Sequence, residues 1–438
     1  MRLVHLADVH FDAPFAGRSA FLRHRLQEAA RQAFRSAVDL AFAEAVDAVV
    51  ISGDLFDSRD LSFATERFLL GEARRLAARG ISLIYATGNH DPGGAGGVRA
   101  LEWPENVTVA AGPAPVRVDI TRPDGTIVGT VTAAGHDSPE VSDDLSLAFS
   151  PPAGPGPHVA VLHTQVQTSR GAQAHDRYAP SELTHLRRAG FHYWALGHIH
   201  IPQELSHDPP VVYSGCLQGR NPGETGPKGA YVVDLTDPLA PEMSFRPLAP
   251  VRWETLEVHG LQEASSLESL ARVVGDAWAR ARTADPGAPG VEWAVRVVLQ
   301  GPSPLWGELQ RPTQREELAH ELEDLPGAIH VEVRARGLHP VFDPVDHRDR
   351  VDALGETLRL LEEVLQGSLP PNGGPGESDW PAFLDSVTVE DLAVSGLTGA
   401  GRTPTDPDAL RAYIRRVLDG AEGEVVRRFL RATQGGGG

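Results

Sequence analysis

LGHIH, residues 196–200, closes an apolar run that begins at Phe191, and it sets two imidazoles one residue apart where a strand should be running out. A strand buried on both faces reads as a continuous apolar run and belongs to an α/β layered core, where functional groups gather at the carboxyl ends of the strands. YWALG (193–197) is such a strand, and LVHLA (3–7), AVVISG (48–53), SLIYATG (82–88) and HVAVLH (158–163) read the same way. Each terminates in metal-ligand chemistry: Asp8 and His10, then Asp54, then Asn89 and His90, then His163, then His198 and His200. Taken singly these are weak signals, because a strand-end histidine is more often a satisfied structural residue and GD or GN pairs usually mark turns. As an ordered set, each member following a predicted strand, they are hard to explain by coincidence.

Between the first two strands, apolar residues at Leu22, Leu26, Ala30, Phe34, Ala37 and Ala41 recur at helical spacing and predict a helix over 21–45. Val116 to Ala134, with PDG at its turn, reads as a β-hairpin. Residues i and i+2 of an extended segment point to one side, so Asp8 with His10, and His198 with His200, are expected to present paired donors. Oxygen donors mixed with imidazoles suit manganese, iron or zinc better than copper. A carboxylate such as Asp54 can bridge two ions.

Composition bounds the alternatives. A chain of 438 residues is long enough for two or three domains. Cys216 is the single cysteine, which excludes an intrachain disulfide and a cysteine-rich zinc knuckle. The opening MRLVHLADVH lacks a basic leader followed by a signal core, and no apolar stretch is long enough to span a bilayer, so no membrane association and a cytoplasmic location are expected. The formal charge of −19 argues against gripping a polyanion by bulk attraction. Nucleic-acid binding would need bound cations, an arginine patch or a partner chain.

The string D-x-H, GD-x-x-D, GNHD, H and GH-x-H resembles the calcineurin-like metallophosphoesterases. HLADVHFDAPF, HDRYAPSELTHLRRAGFHYWALGHIH and SGCLQGRNPGETGPKGAYVVDL look like the SbcD/YhaO-type DNA repair nucleases within them, over roughly the first 260 residues. The resemblance implies a layered β-sandwich core flanked by helices. It also implies two divalent ions, Mn²⁺ foremost: Asp8, His10, Asp54 and His200 on one, and Asp54, Asn89, His163 and His198 on the other. His90 is then the general acid, oriented by Asp91, and Asp57 supports the ligands from behind. Gln218 and Arg220 are candidate contacts to substrate phosphate. Ser58 and Asp91 stand where protein phosphatases of the superfamily carry Arg and Glu, which disfavours that activity. Glu224 matches the branch's pattern without suggesting a chemical role, and Lys228, the only lysine, reads as a phosphate contact or a turn residue.

From Trp253 the pattern changes. Residues 1–250 are expected to form the nuclease domain and 251–345 a small α+β capping domain of two strand-and-helix units. Capping-box spacing places helix starts at Ser265 with Glu268 and at Thr313 with Glu316. A helical region over 346–434, interrupted by a Pro/Gly linker at 369–381, carries an apolar seam at Val351, Leu354, Leu358, Leu361 and Leu365. By resemblance that region binds an SMC-like coiled-coil ATPase of the SbcC/YhaN type, and the nuclease is a homodimer acting on DNA. The competing function is a phosphodiesterase or phosphatase for nucleotides or other small molecules. It would explain the acidic charge but not the domains after Trp253.

Overall fold

The computed structural model describes residues 1–57, 61–94, 101–150, 154, 156–174, 176–341, 351 and 354–359. Ser58, the linker at 369–381, the seam residues Leu361 and Leu365 and the helical patterns after them lie outside the described residues. By internal packing the chain divides into two compact units, Met1–Leu256 with Ala279–Arg296 and Glu323–Glu332, and Glu257–Trp278 with Val297–Leu322 and Val333–Gly438.

In chain order the elements are β1 (Arg2–Leu6), α1 (Ala20–Ala43), β2 (Ala48–Ser52), α2 (Phe63–Ala77), β3 (Ser82–Ala86), β4 (Val107–Ala110), β5 (Val116–Thr121) and β6 (Ile127–Ala134). There follow β7 (His158–His163), α3 (Leu183–Arg188), β8 (Tyr193–Gly197), β9 (Gln203–His207), β10 (Pro210–Tyr213), β11 (Gly229–Asp234) and β12 (Glu242–Pro247). The last are β13 (Val251–Val258), α4 (Leu267–Ala284), β14 (Glu292–Pro302), α5 (Trp306–Leu309), α6 (Pro312–Glu321) and β15 (Ala328–His339). The five strands and the hairpin expected from the apolar runs all form, and the first helix lies within about a turn of its expected bounds. Helix α2 is an element the periodicity reading does not pick out. Among the described residues no helix is long and apolar enough to cross a membrane.

Two six-stranded sheets build the first unit, in the orders β12-β11-β1-β2-β3-β4 and β5-β6-β7-β8-β10-β9. The central strands are parallel in both sheets, while β11, β12, β5 and β9 pair antiparallel at the flanks. Side-chain alternation explains why the central runs carry apolar residues at every position. Leu3, Val50 and Ile84 face the second sheet and pack with its Val131, Val159 and Val161. Their neighbours Val4, Leu6, Val49, Ile51 and Leu83 face the other way, onto Phe34, Ala37, Leu69 and Leu76 of α1 and α2. The outer face of the second sheet is closed by Phe149, Leu186 and Phe191 over Trp194 and Leu196. Removing such side chains from water contributes about 1.5–3 kcal/mol for each Val, Leu or Ile.

Helix starts follow local chemistry. Ser19 caps α1 by accepting from Leu22 N at 3.2 Å, and Ser62 caps α2 by accepting from Thr65 N at 3.2 Å. The expected boxes in the later helices are displaced. Ser266 and Ser269, each side chain accepting from the other's backbone N–H at 3.2 and 3.0 Å, cap α4 in place of Ser265 and Glu268. At α6, Arg311 occupies the cap without a side-chain bond and Pro312 starts the helix. Thr313 is already inside it; proline lacks the N–H that would need a cap. In the second unit, α4 buries Leu270 and Val274 at a spacing of one turn.

Close packing of the two sheets leaves no room at Gly197, where an added Cβ would stand 1.8 Å from Ser52 O and 3.0 Å from Ala7 Cβ. Gly197→Ala should therefore cost about 1–3 kcal/mol. The check is a fall in the urea midpoint at constant slope, and an unchanged midpoint would contradict so tight an approach.

Candidate metal centre

Strand β1 ends at Leu6 and β2 at Ser52, before any of their donors. Asp8, His10, Asp54 and His198 all have positive φ, at 51, 50, 51 and 102°. The paired-donor geometry expected of an extended segment is therefore not what aims these side chains. Positive φ in a residue with a Cβ costs about 1–3 kcal/mol, and here surrounding backbone bonds hold it. Asp8 N donates to Gly53 O at 3.1 Å, His10 N to Asp54 O at 3.0 Å and Phe11 N to Leu55 O at 2.9 Å, zipping the first donor loop to the second.

The seven residues expected to hold metal come together around Asp54, which is 2% exposed. Asp54 Oδ2 lies 3.4 Å from His163 Nε2 and 3.7 Å from His10 Nε2. On one side His10 Nε2 and His200 Nε2 are 3.4 Å apart, and Asp8 Oδ1 lies 3.7 Å from His200 Nε2. On the other, Asn89 Oδ1 is 3.0 Å from His163 Nε2 and 3.2 Å from His198 Nδ1. Asp8, His10 and His200 can converge on one cation, as can Asp8, Asp54 and His163.

The tautomers decide whether the donors suit a cation. His10 Nδ1 donates to Asp57 Oδ1 at 3.0 Å and His200 Nδ1 to Glu224 Oε1 at 2.9 Å. Both Nε2 atoms then direct lone pairs at each other and toward Asp8 Oδ1 and Asp54 Oδ2, an arrangement that a divalent ion satisfies. In the second half, His163 Nδ1 donates to Ser52 O at 2.8 Å and His198 Nε2 to Asp176 O at 2.9 Å. That leaves His163 Nε2 and His198 Nδ1 turned to Asn89 Oδ1. The donor set fits hard or borderline divalent ions.

Burial and charge set the protonation. Burial pushes the His10 imidazole down to about 3, keeping it neutral. Burial also opposes charge on His163, but the Asp54 carboxylate outweighs it and raises that imidazole to about 9, while Asp54 itself is held well below the usual carboxylate range. Burial raises Asp8.

Several expected roles change place. Asp91 does not touch His90. It is buried and accepts from Gly88 N at 2.7 Å, Phe56 N at 3.0 Å, Asp54 N at 3.3 Å and Tyr85 Oη at 2.5 Å, so it braces the loops that carry Asp54 and Asn89. Burial followed by the nearby Asp54 charge raises Asp91 to about 6. The group beside His90 is Asp57, whose carbonyl lies 3.4 Å and carboxylate 3.7 Å from His90 Nδ1. Gln218 is also no substrate contact. It is 1% exposed and its amide bonds Val251 O at 2.6 Å and Gly219 O at 3.0 Å.

Residues without an assigned role acquire one. Glu224 receives His200 Nδ1, and Lys228, 3% exposed, donates to His200 O at 3.0 Å. Cys216 N donates to the same carbonyl at 3.3 Å. His136, absent from the sequence reading, sits behind His163 with Nε2 2.9 Å from its carbonyl oxygen. A cavity of about 160 Å³ opens over the centre, lined by Asp54, Asn89, His90, Asp176, Tyr178, His198, His200 and Arg220. His90 and Arg220 line it from two loops that meet at Asp57 Oδ1, 3.7 and 3.0 Å away, and Asp176 and Tyr178 belong to a segment in which no single residue signals a site.

Comparison with known proteins bears on this geometry. Residues 1–202 match the calcineurin-like phosphoesterase model, and residues 253–335 match that of the middle domain of metallophosphoesterase YhaO. The chain is 33% identical to metallophosphoesterase YhaO of Bacillus subtilis over 310 residues, 70% of this chain and 73% of that one. It is 28% identical over 249 residues to the DNA double-strand break repair protein Mre11 of Aeropyrum pernix, covering 54% and 58% of the two chains. With Mre11 of Sulfurisphaera tokodaii it shares 29% identity over 90 residues, 20% and 22% of the two chains.

A cation held by Asp54, Asn89 and His163 must displace the proton that Asp54 keeps on His163. Below the raised value of about 9, ion uptake should release about one proton per chain, and apparent affinity should rise with pH until that value is passed. Calorimetric Mn²⁺ titrations in buffers of different ionisation enthalpy measure the release; none at pH 7 would contradict the assignment of His163.

Proposed function

Because the chain belongs to the calcineurin-like metallophosphoesterases and carries the YhaO middle domain, we propose that it is a nuclease that hydrolyses phosphodiester bonds in DNA with two divalent ions, Mn²⁺ foremost. The observation that carries this reading is the convergence of seven donors from five distant segments on Asp54, in a chain whose relatives include two Mre11 proteins. Asp8, His10, Asp54 and His200 would hold one ion, and Asp54, Asn89, His163 and His198 the other. Such ions supply Lewis acidity toward phosphate oxygens and lower the pKa of water.

The chain's own side chains do the rest. His90, with a side chain 41% exposed at the cavity, gives a proton to the leaving oxygen, and Asp57 beside it steadies the ring. Asp91 keeps Asp54 and Asn89 in place from below. Residues 251–345 would position the duplex. The region 346–434 would grip an SMC-like coiled-coil ATPase, with the nuclease as a homodimer in the cytoplasm. A partner's basic surface would supply the electrostatic affinity for DNA that a chain of charge −19 lacks.

The test uses end-labelled duplex and single-stranded DNA with Mn²⁺, with and without the ATPase, beside a panel of cyclic nucleotides and nucleotide monoesters. Cleavage of the DNA is expected; hydrolysis confined to the small substrates would replace the nuclease by the small-molecule reading. His90→Ala should lower turnover by about 10²–10⁴-fold while both ions remain bound, whereas Asp54→Ala should lose metal as well. Equal metal loss in the two variants would take His90 out of the acid role.

A further inference from the structure

Arg220, a candidate contact to substrate phosphate, lines the cavity, but its guanidinium is engaged by acids of the protein. Nη1 donates to Asp57 Oδ1 at 3.0 Å, and Nη2 lies 3.4 Å from Glu224 Oε1 and 3.3 Å from His200 Nδ1. Nε is buried without a hydrogen-bond partner among the described residues. The two carboxylates it joins are the ones that receive His10 Nδ1 and His200 Nδ1, at 3.0 and 2.9 Å. Glu224 is further fixed by Arg220 N at 2.6 Å and Asn221 Nδ2 at 3.0 Å, and burial is outweighed there by His200 and Arg220, which hold its carboxyl well below the usual range.

The result is a closed arrangement of imidazole, carboxylate, guanidinium, carboxylate and imidazole, whose two ends are the histidines of one half of the centre. Both imidazoles of the other half, His163 and His198, are oriented by backbone carbonyls instead, those of Ser52 and Asp176. A carboxylate behind an imidazole fixes its tautomer and raises its basicity as a ligand. Two such carboxylates repel unless a shared cation lies between them, and a planar guanidinium holds both with donors fixed in one fork, whereas the donors of an ammonium rotate about a single nitrogen.

Resting on the dinuclear reading above, we propose that Arg220 is a positioning residue for the ion held by Asp8, His10, Asp54 and His200, acting through Asp57 and Glu224 on both imidazoles and leaving the other ion's ligands untouched. Its loss should thus weaken one ion selectively.

The experiment is calorimetric titration of the full chain with Mn²⁺ alone, for wild type, Arg220→Gln, Arg220→Lys and Glu224→Gln, with thermal unfolding of each variant to confirm folding. Arg220→Gln should weaken one of two binding events by about 10–100-fold and leave the other unchanged. Arg220→Lys should recover only part of the loss, and Glu224→Gln should weaken the same event. Two ions bound at wild-type affinity by a folded Arg220→Gln, with KM for the phosphodiester raised instead, would overturn the positioning role in favour of a phosphate contact. Equal weakening of both ions would overturn the selectivity. Failure of the wild-type chain to bind two ions would instead sink the dinuclear reading itself, and the inference with it.

Discussion

One buried carboxylate, shared by two clusters of acceptors, is the constraint on which the site and much of the surrounding fold depend. Asp54 Oδ2 faces His10 Nε2 and His163 Nε2, with Asp8 close by, in a place from which water is nearly excluded. Burying carboxylates carries a desolvation cost that only a compensating charge offsets. Part of it is offset by His163, whose imidazole the Asp54 carboxylate raises while being held well below the usual carboxylate range itself. The rest is a standing instability that a cation relieves, so the geometry that binds metal is one a fold optimised for stability alone would not keep.

The scaffold tolerates this because the loops are over-determined. The backbone bonds between residues 8–11 and 53–55 hold Asp8, His10 and Asp54 at positive φ, and Asp91 ties Asp54, Phe56 and Gly88 from beneath. Glycine is obligatory at two of the closest approaches. Gly53, at φ 89°, has its missing Cβ position 2.2 Å from His163 Nδ1, and at Gly88 that position is 2.2 Å from Asp54 Oδ1. The GD and GN pairs that look like ordinary turn signals in the sequence are here the condition for ligands and backbone to pack this closely.

That contrast shows what a sequence can express. Strand identity and the order of donors along the chain were legible because apolar runs and ligand types are local properties. The aim of each donor was not: period-two reasoning assumes an extended backbone, and the strands stop short of Asp8, His10, Asp54 and His198. Roles set by contacts distant in sequence were equally hidden. Asp91 looks like a neighbour of His90 but turns inward to four donors. Gln218 looks exposed in a polar loop but ties residue 219 to residue 251. Glu224 becomes meaningful only once His200, 24 residues earlier, is seen against it. Capping boxes failed for different reasons: at α4 Ser266 and Ser269 compete with Ser265 for the cap geometry, and at α6 Pro312 starts the helix ahead of Thr313.

The charge distribution completes the picture. Many arginines of the described residues are committed to acids of the same chain, Arg2 to Asp234 at 2.6 Å, Arg122 to Asp47 at 2.7 Å and Arg252 to Asp285 at 2.7 Å among them. Arg220 is spoken for as well, by Asp57 and Glu224. Polyanions are held at long range by a net excess of cations that displace their counterions, and a chain of charge −19 has no such excess. What it can offer is short-range: divalent charge concentrated beneath a small cavity, at a distance where salt screens least. Under the proposed function, the remainder of a long substrate would then be held by the ATPase's surface.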